Sequence, residues 1–305
     1  MTSPIRPTTI LDAPKIAREL HLASLTLATE TFQVTGSFKF RAAYNLAANV
    51  SHPIIIAASS GNFGQALACA CEMLGKRAII VMPANSAKVK VDAVRSYNAI
   101  ADLIDTSVIS REARVAELAA ENPEAYIASA FDDQLVIDGN ATLAVELAAL
   151  AQPKFDAVIA PVGGGGLASG LIEGFRRVGT NIKVVGAEPA LANDAARSLQ
   201  AGHIVRNNSE PQTIADGART RALGTLNWAT LQHGVAGIIE VPDARIEEAV
   251  RRLFTEINLK AEPTGALSLG ALLTDPAQFE GKHICCVISG GNVDAAVYAR
   301  IIQGG

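Results

Sequence analysis

Val162-Gly163-Gly164-Gly165-Gly166-Leu167 is the stretch from which the rest of the chain can be read. The apolar run before it, residues 157–162, has the composition of a strand buried on both faces, and residues 167–177 after it read as a helix. Glycines at a strand-to-helix turn let the backbone approach an anion, and the unpaired N–H groups of the helix's first turn point at it. A plain flexible turn does not need four consecutive glycines, so the segment predicts a phosphate cradle. Gly163, Gly165 and Ala168 also fit the G-x-G-x-x-A pattern of dinucleotide-binding turns. Glu188, twenty residues after Ala168, stands where a ribose-binding acid would. On this segment alone an NAD-dependent oxidoreductase remains open.

The same rhythm extends in both directions. Short Val/Ile-rich runs at 54–58, 78–82, 125–128, 183–187, 237–241 and 283–288 predict strands. Helical stretches lie between them at 63–74, 111–120, 141–150 and 246–256. Strand and helix alternating this often imply an α/β protein with two open, mostly parallel sheets. Residues 51–135 read as a small domain, closed by the polar stretch 129–134. Residues 1–50 do not make a domain alone and are assigned with 136–305 to a large one; no regulatory domain is expected after the last strand.

Composition narrows the function classes. The chain has 305 residues, 49% of them apolar and 18% charged, which suits a packed globular protein with a sizeable core. Its formal charge of −4, with no long run of one sign, argues against a nucleic-acid partner or a polybasic membrane patch. Arg6, Asp12, Lys15, Arg18 and Glu19 punctuate the first twenty residues, and no run is long and apolar enough to span a bilayer. Cys69, Cys71, Cys285 and Cys286 lack the spacing of a zinc site or a disulfide set and read as small core residues in a reducing compartment. A cytoplasmic protein is expected.

Two further segments carry chemistry. In Thr35-Gly36-Ser37-Phe38-Lys39-Phe40-Arg41 a lysine sits between apolar residues at a helix start. Desolvation there lowers an amine's pKa and makes it nucleophilic, whereas an ordinary lysine near an arginine is a solvated face. Ser59-Ser60-Gly61-Asn62-Phe63-Gly64-Gln65 follows a strand and opens a helix. Its hydroxyls, glycines and amide suit a carboxylate, and an N-cap would need only one of them.

Taken together in this order, these segments resemble the fold-type II pyridoxal-phosphate (PLP) enzymes, the tryptophan synthase β-like fold. Within them they resemble the branch of serine/threonine dehydratases and serine racemases. The resemblance runs from about residue 15 to residue 303 and includes Ser289-Gly290-Gly291-Asn292, Asp216-Gly217 and Glu262-Pro263-Thr264-Gly265. It implies that Lys39 carries PLP covalently and that Asn62 donates to the ring hydroxyl. Gly163, Gly164, Gly165 and Gly166 would hold the phosphate, and Ser289 would bond the pyridine nitrogen. Ser59, Ser60, Gly61 and Asn62 would take the carboxylate of an amino-acid substrate. The NAD reading gives Lys39 and Asn62 no role and is displaced.

The resemblance further implies a dehydratase converting a β-hydroxy amino acid of the serine/threonine class to a 2-oxo acid and ammonia. Lys39 and Ser60 would be its catalytic residues. A racemase on the same scaffold is the alternative, with Ser60 as the acid–base group opposite Lys39. Glu188, the Ala192 carbonyl and Asp194 match the positions that hold Mg²⁺ or Ca²⁺ in metal-activated relatives, a donor set suited to a hard cation. A homodimer is expected. The chain departs from the pattern at Phe63, where many relatives have histidine, and at Gly139-Asn140-Ala141-Thr142, which replaces Gly-Gln-Gly-Thr.

Overall fold

The computed structural model describes residues 3–150 and 154–304. Among these, ten strands are formed: β1 (Thr9–Asp12), β2 (Ser24–Thr29), β3 (Ile54–Ala58), β4 (Arg77–Pro83), β5 (Ile100–Ile104), β6 (Ala125–Ala128), β7 (Ala157–Pro161), β8 (Lys183–Pro189), β9 (Val235–Val241) and β10 (His283–Ile288). They make a six-stranded sheet in the order β1-β2-β10-β7-β8-β9 and a four-stranded sheet in the order β5-β4-β3-β6. Among these strands only the β1–β2 pair is antiparallel. The α/β class with two mainly parallel sheets is therefore the one expected. Parallel neighbours need crossovers, which is why helices fill the sequence between the strands.

β10 shows why the apolar runs were readable. It lies between β2 and β7, and Ile284, Cys285, Cys286, Val287 and Ile288 are all fully buried. Both cysteines are free, and burial pushes the Cys285 thiol up to about 12. β1, β2 and β5 were not foreseen. β5 is an edge strand with Ile100 and Leu103 exposed, and Asp102 breaks its apolar run to bind Arg114. The helix expected at 141–150 starts earlier, at Gln134, because the Asp133 carboxylate caps it by accepting from the Leu135 amide at 2.8 Å. Gly139 looks like a turn residue but sits mid-helix. A Cβ there would lie 2.6 Å from the Arg41 carbonyl, so the glycine permits close passage of the helix Lys39–Asn49.

That helix joins the two halves of the molecule. Phe40, Ala43, Leu46 and Ala47 pack in one core with Ile55, Phe63, Leu67 and Ile80 beside the four-stranded sheet. The preceding strands β1 and β2 belong to the six-stranded sheet. The join is pinned by Arg41, which is fully buried. Its guanidinium donates to Glu30 at 2.7 and 3.0 Å, to Glu146 at 2.6 and 3.0 Å, and to Thr142 Oγ1 at 3.1 Å. Burial works against this charge, yet the bonds to Glu30 and Glu146 leave its pKa raised.

Removing one member of such a cluster strands the others. Arg41→Met leaves the buried Glu30 carboxylate unpaired and is expected to cost about 3–5 kcal/mol of stability, measured by urea unfolding. Arg41→Met combined with Glu30→Gln should recover part of that loss.

Candidate active site

The site residues sit at the carboxyl ends of parallel strands, where open α/β sheets place ligands. After β7, Gly163 and Gly165 adopt positive φ (+51° and +99°), and the helix Gly166–Arg177 begins. A Cβ on Gly164 would enter the Phe131 ring, one on Gly165 would lie 2.7 Å from Asn227 Cβ, and one on Gly166 would lie 3.1 Å from the Phe131 carbonyl. Asn227 Nδ2 donates to the carbonyls of Gly164 and Phe131, both at 2.9 Å, and Asn140 Nδ2 to that of Gly166 at 3.0 Å. The amide that Asn140 brings in place of glutamine thus braces the loop. The helix's first-turn N–H groups have no acceptor within the helix. A cradle this tight, with free donors at its end, fits a phosphate.

Lys39 is the first residue of its helix and is stitched to the end of β10. The Phe38 amide donates to the Ser289 carbonyl at 2.9 Å, and Ser37 bridges Gly290. Lys39 Nζ donates to the Ala130 carbonyl at 2.8 Å and lies 5.0 Å from the Phe38 ring centroid and 5.7 Å from that of Phe63. Burial lowers its pKa to about 8. Ala130 immediately precedes Phe131, so the lysine and the glycine loop contact the same short segment from two sides. Phe63 is buried and helps desolvate the amine.

Asn62 opens the helix Asn62–Met73. Its Nδ2 donates to Glu262 Oε1 at 2.7 Å, and its Oδ1 accepts from Asn292 Nδ2 at 2.9 Å. Ser59 Oγ accepts from the Gly64 amide at 3.0 Å and the Gly61 amide at 3.4 Å, which folds the loop back on itself. Gly61 is exposed, while Ser59 and Ser60 are partly buried. Glu262 is buried, and burial raises its pKa to about 8. Its role was missed from sequence because its partner is 200 residues away. Thr264, two residues on, accepts from the Gly217 amide at 2.9 Å, which joins the Asp216-Gly217 run to this cluster. Lys39, Asn62, Ser289 and the glycine loop are therefore brought together through shared neighbours.

Glu188 and Asp194 form a separate cluster at the end of β8. Both Glu188 oxygens are taken by the helix Asp194–Ala201, accepting from the Ala195 and Ala196 amides at 2.8 and 2.9 Å. This fixes the carboxylate under a helix start. Burial raises Glu188 to about 8 and Asp194 to about 6. Asp194 Oδ1 accepts from Asn207 at 2.8 Å, whereas its buried Oδ2 has no hydrogen-bond partner. Ala192 is buried in the turn between the two acids. Among the described residues no three His, Cys, Asp or Glu side chains converge as a metal cluster. The orphaned Asp194 oxygen beside a second buried carboxylate nevertheless fits a cation completed by backbone carbonyl and water.

A family model described as "Pyridoxal-phosphate dependent enzyme" matches residues 1–290, and the chain belongs to that family. The L-threo-3-hydroxyaspartate ammonia-lyase of Pseudomonas sp is 35% identical over 286 residues, covering 92% of this chain and 89% of that one. A solved threonine deaminase from T.th. has a TM-score of 0.87 at 38% identity, with 95% of this chain and 94% of that one covered. Maize serine racemase has a TM-score of 0.91 at 31% identity, with 98% and 92% covered. Among the described residues no helix is long and apolar enough to cross a membrane.

The cradle makes a stability prediction. Gly165→Ala forces a side chain into a left-handed conformation against Asn227, at a cost of about 1–3 kcal/mol in urea unfolding.

Proposed function

We propose that this PLP-family chain is an ammonia-lyase acting on a β-hydroxy amino acid. The β-hydroxyl leaves as water and the amine as ammonia, one water is returned on hydrolysis, and a 2-oxo acid remains. The observation that carries the reading is the convergence of a desolvated lysine, a glycine cradle and an asparagine-led helix start. The resemblance to hydroxyaspartate ammonia-lyase and threonine deaminase supports the same chemistry.

When bound, PLP supplies the aldehyde that engages an amine and the electron sink for charge developing at the substrate's Cα. Lys39 would hold it, with Gly163, Gly164, Gly165 and Gly166 available to its phosphate and Asn62 and Ser289 to the polar atoms of its ring. A Lys39 pKa of about 8 leaves a useful fraction of neutral amine near pH 7, able to take the proton from Cα. Residues 59–62 present hydroxyls and helix-start amides to the α-carboxylate. Phe38 and Phe63 keep water from the amine. Ser60 is the candidate acid–base group on the opposite face, and elimination is proposed to dominate over the racemisation it would permit.

We further assign Glu188, the Ala192 carbonyl and Asp194 as ligands of Mg²⁺ or Ca²⁺, supported by the unpartnered Asp194 oxygen. The working unit is proposed to be a cytoplasmic homodimer. Each chain would have a large domain of residues 1–50 and 136–305 and a small one of 51–135, supported by the separate sheets these ranges supply.

The holoenzyme should be yellow, its visible band abolished by borohydride and the reduced cofactor mapped to Lys39. Lys39→Ala should lower 2-oxo acid release about a hundredfold or more, the weight of a positioned general base. A colourless protein that binds NAD would overturn this reading.

The metal assignment has its own test. A ligand of the folded state stabilises it, so EDTA should lower both melting temperature and activity, and Mg²⁺ or Ca²⁺ should restore them. Asp194→Ala should respond to neither treatment.

A further inference from the structure

A polar pocket of about 540 Å³ opens beside the substrate loop, and Ser60 forms part of its wall. It is therefore continuous with the segment proposed to take the substrate's α-carboxylate. One flank comes from the segments after β4 and β5, with Ser86 in a loop and Lys90 and Arg111 in the first turns of the helices that follow, and the other from Arg219 and Arg221. The pocket is walled by residues 60–112 on one side and 210–221 on the other, so it lies between the segments that supply the two sheets.

Its charge is unbalanced. Lys90, Arg111, Arg219 and Arg221 face only Glu112 and Glu210 among the lining residues. Lys90 is paired with Asp216 at 2.7 Å, and Arg111 with Glu210 at 3.9 Å. The other two guanidiniums have no such partner. Arg219 directs Nε and Nη2 at the Thr213 carbonyl, at 2.8 and 2.6 Å, and Arg221 directs Nη2 at the Asn208 carbonyl at 2.9 Å. Those acceptors are neutral, and among the described residues no carboxylate pairs with either side chain. The bonds orient both guanidiniums, Arg221 being the more exposed of the two, and leave each with unused N–H donors. Ser86 Oγ, in the same wall, is buried with no hydrogen-bond partner.

We propose that this pocket recognises a second carboxylate on the substrate, with Arg219 and Arg221 as the recognising residues. The preferred substrate is then a dicarboxylic β-hydroxy amino acid, one that carries a carboxylate on the carbon bearing the hydroxyl. This inference rests on the lyase reading above. A guanidinium fork and a carboxylate make short, charge-assisted hydrogen bonds with fixed geometry. Serine offers the pocket nothing beyond its hydroxyl, and threonine adds only a methyl. Either would leave two cations and the Ser86 hydroxyl without a ligand, and a site built to bond a polar group discriminates most strongly against substrates that lack it.

The test uses the PLP-loaded full chain and two measurements. In the first, 2-oxo acid release gives kcat/KM for L-threo-3-hydroxyaspartate and for L-serine. The wild type should favour the dicarboxylate by about tenfold or more, the weight of one well-made charged contact. Arg219→Gln combined with Arg221→Gln should remove that preference, chiefly through KM, and Arg219→Lys should retain part of it. In the second, calorimetry compares L-aspartate with L-alanine, neither of which carries a β-hydroxyl to eliminate. L-Aspartate should bind more tightly to the wild type, and the double variant should close the gap. Equal losses on both substrates, or no aspartate preference in the wild type, would overturn the inference. So would a variant that alters inhibition by inorganic phosphate but not substrate choice, since the pocket would then serve a free anion. If no β-hydroxy amino acid releases a 2-oxo acid, the lyase reading falls, and the aspartate–alanine comparison still decides what the pocket binds.

Discussion

Arg41 is a fully buried guanidinium clamped between Glu30 and Glu146, and the placement of Lys39 depends on it. Lys39 stands two residues earlier on the same helix, so whatever fixes Arg41 fixes the direction of the Lys39 side chain. Glu30 follows β2 of the six-stranded sheet, and Glu146 lies on the helix Gln134–Ala149, which packs along the lysine's helix. One side chain thereby locks three elements into a single arrangement. A buried charge is tolerable only when its partners are complete, which makes the arrangement all-or-none. Gly139 supports it from the other side by letting the two helices approach backbone to backbone.

Around that fixed point the crevice is held by polar links. Asn62 reaches Glu262 and Asn292, Lys90 reaches Asp216, and Arg111 reaches Glu210. In each case one partner belongs to residues 54–128, which supply the four-stranded sheet, and the other to the segment that carries the larger one. On the far side, by contrast, the helix Lys39–Asn49 buries apolar residues in a continuous core. Polar links exchange readily with water and ligand, whereas a packed core does not.

The sequence was legible where a local pattern does the physical work. Gly163, Gly165, Lys39, Asn62 and the central strands β3, β7 and β10 each carry their signal within a few residues. It was opaque where the cause is tertiary. Gly139-Asn140 resembles a turn, but its glycine answers to the Arg41 backbone and its asparagine to the Gly166 carbonyl. β5 was hidden because an edge strand need not be apolar throughout. Glu262 carries no local signal of its contact with Asn62, which lies 200 residues earlier. Arg219 and Arg221 went unmarked, because nothing local shows that the chain brings them to Ser60. Glu188 illustrates the converse. Its spacing matched a ribose acid, yet both oxygens are committed to helix amides.

The roles proposed for the two kinds of cation in this crevice call for different protonation states. An amine that is to take a proton from carbon must shed its own near neutrality. Lys39 is set among Phe38 and Phe63, where desolvation brings it down to about 8. A group that is to hold a carboxylate must stay charged while water is excluded. That is work for a guanidinium, whose charge is spread over a plane and whose donors match the carboxylate fork. The carbonyls of Thr213 and Asn208 orient Arg219 and Arg221 without neutralising them. Had these arginines faced glutamates, as Arg41 does, their charge would be spent inside the protein. Arg41 and the crevice arginines thus put the same side chain to opposite uses: paired with carboxylates it is structure, and held only by neutral carbonyls it is left with attraction to offer a ligand.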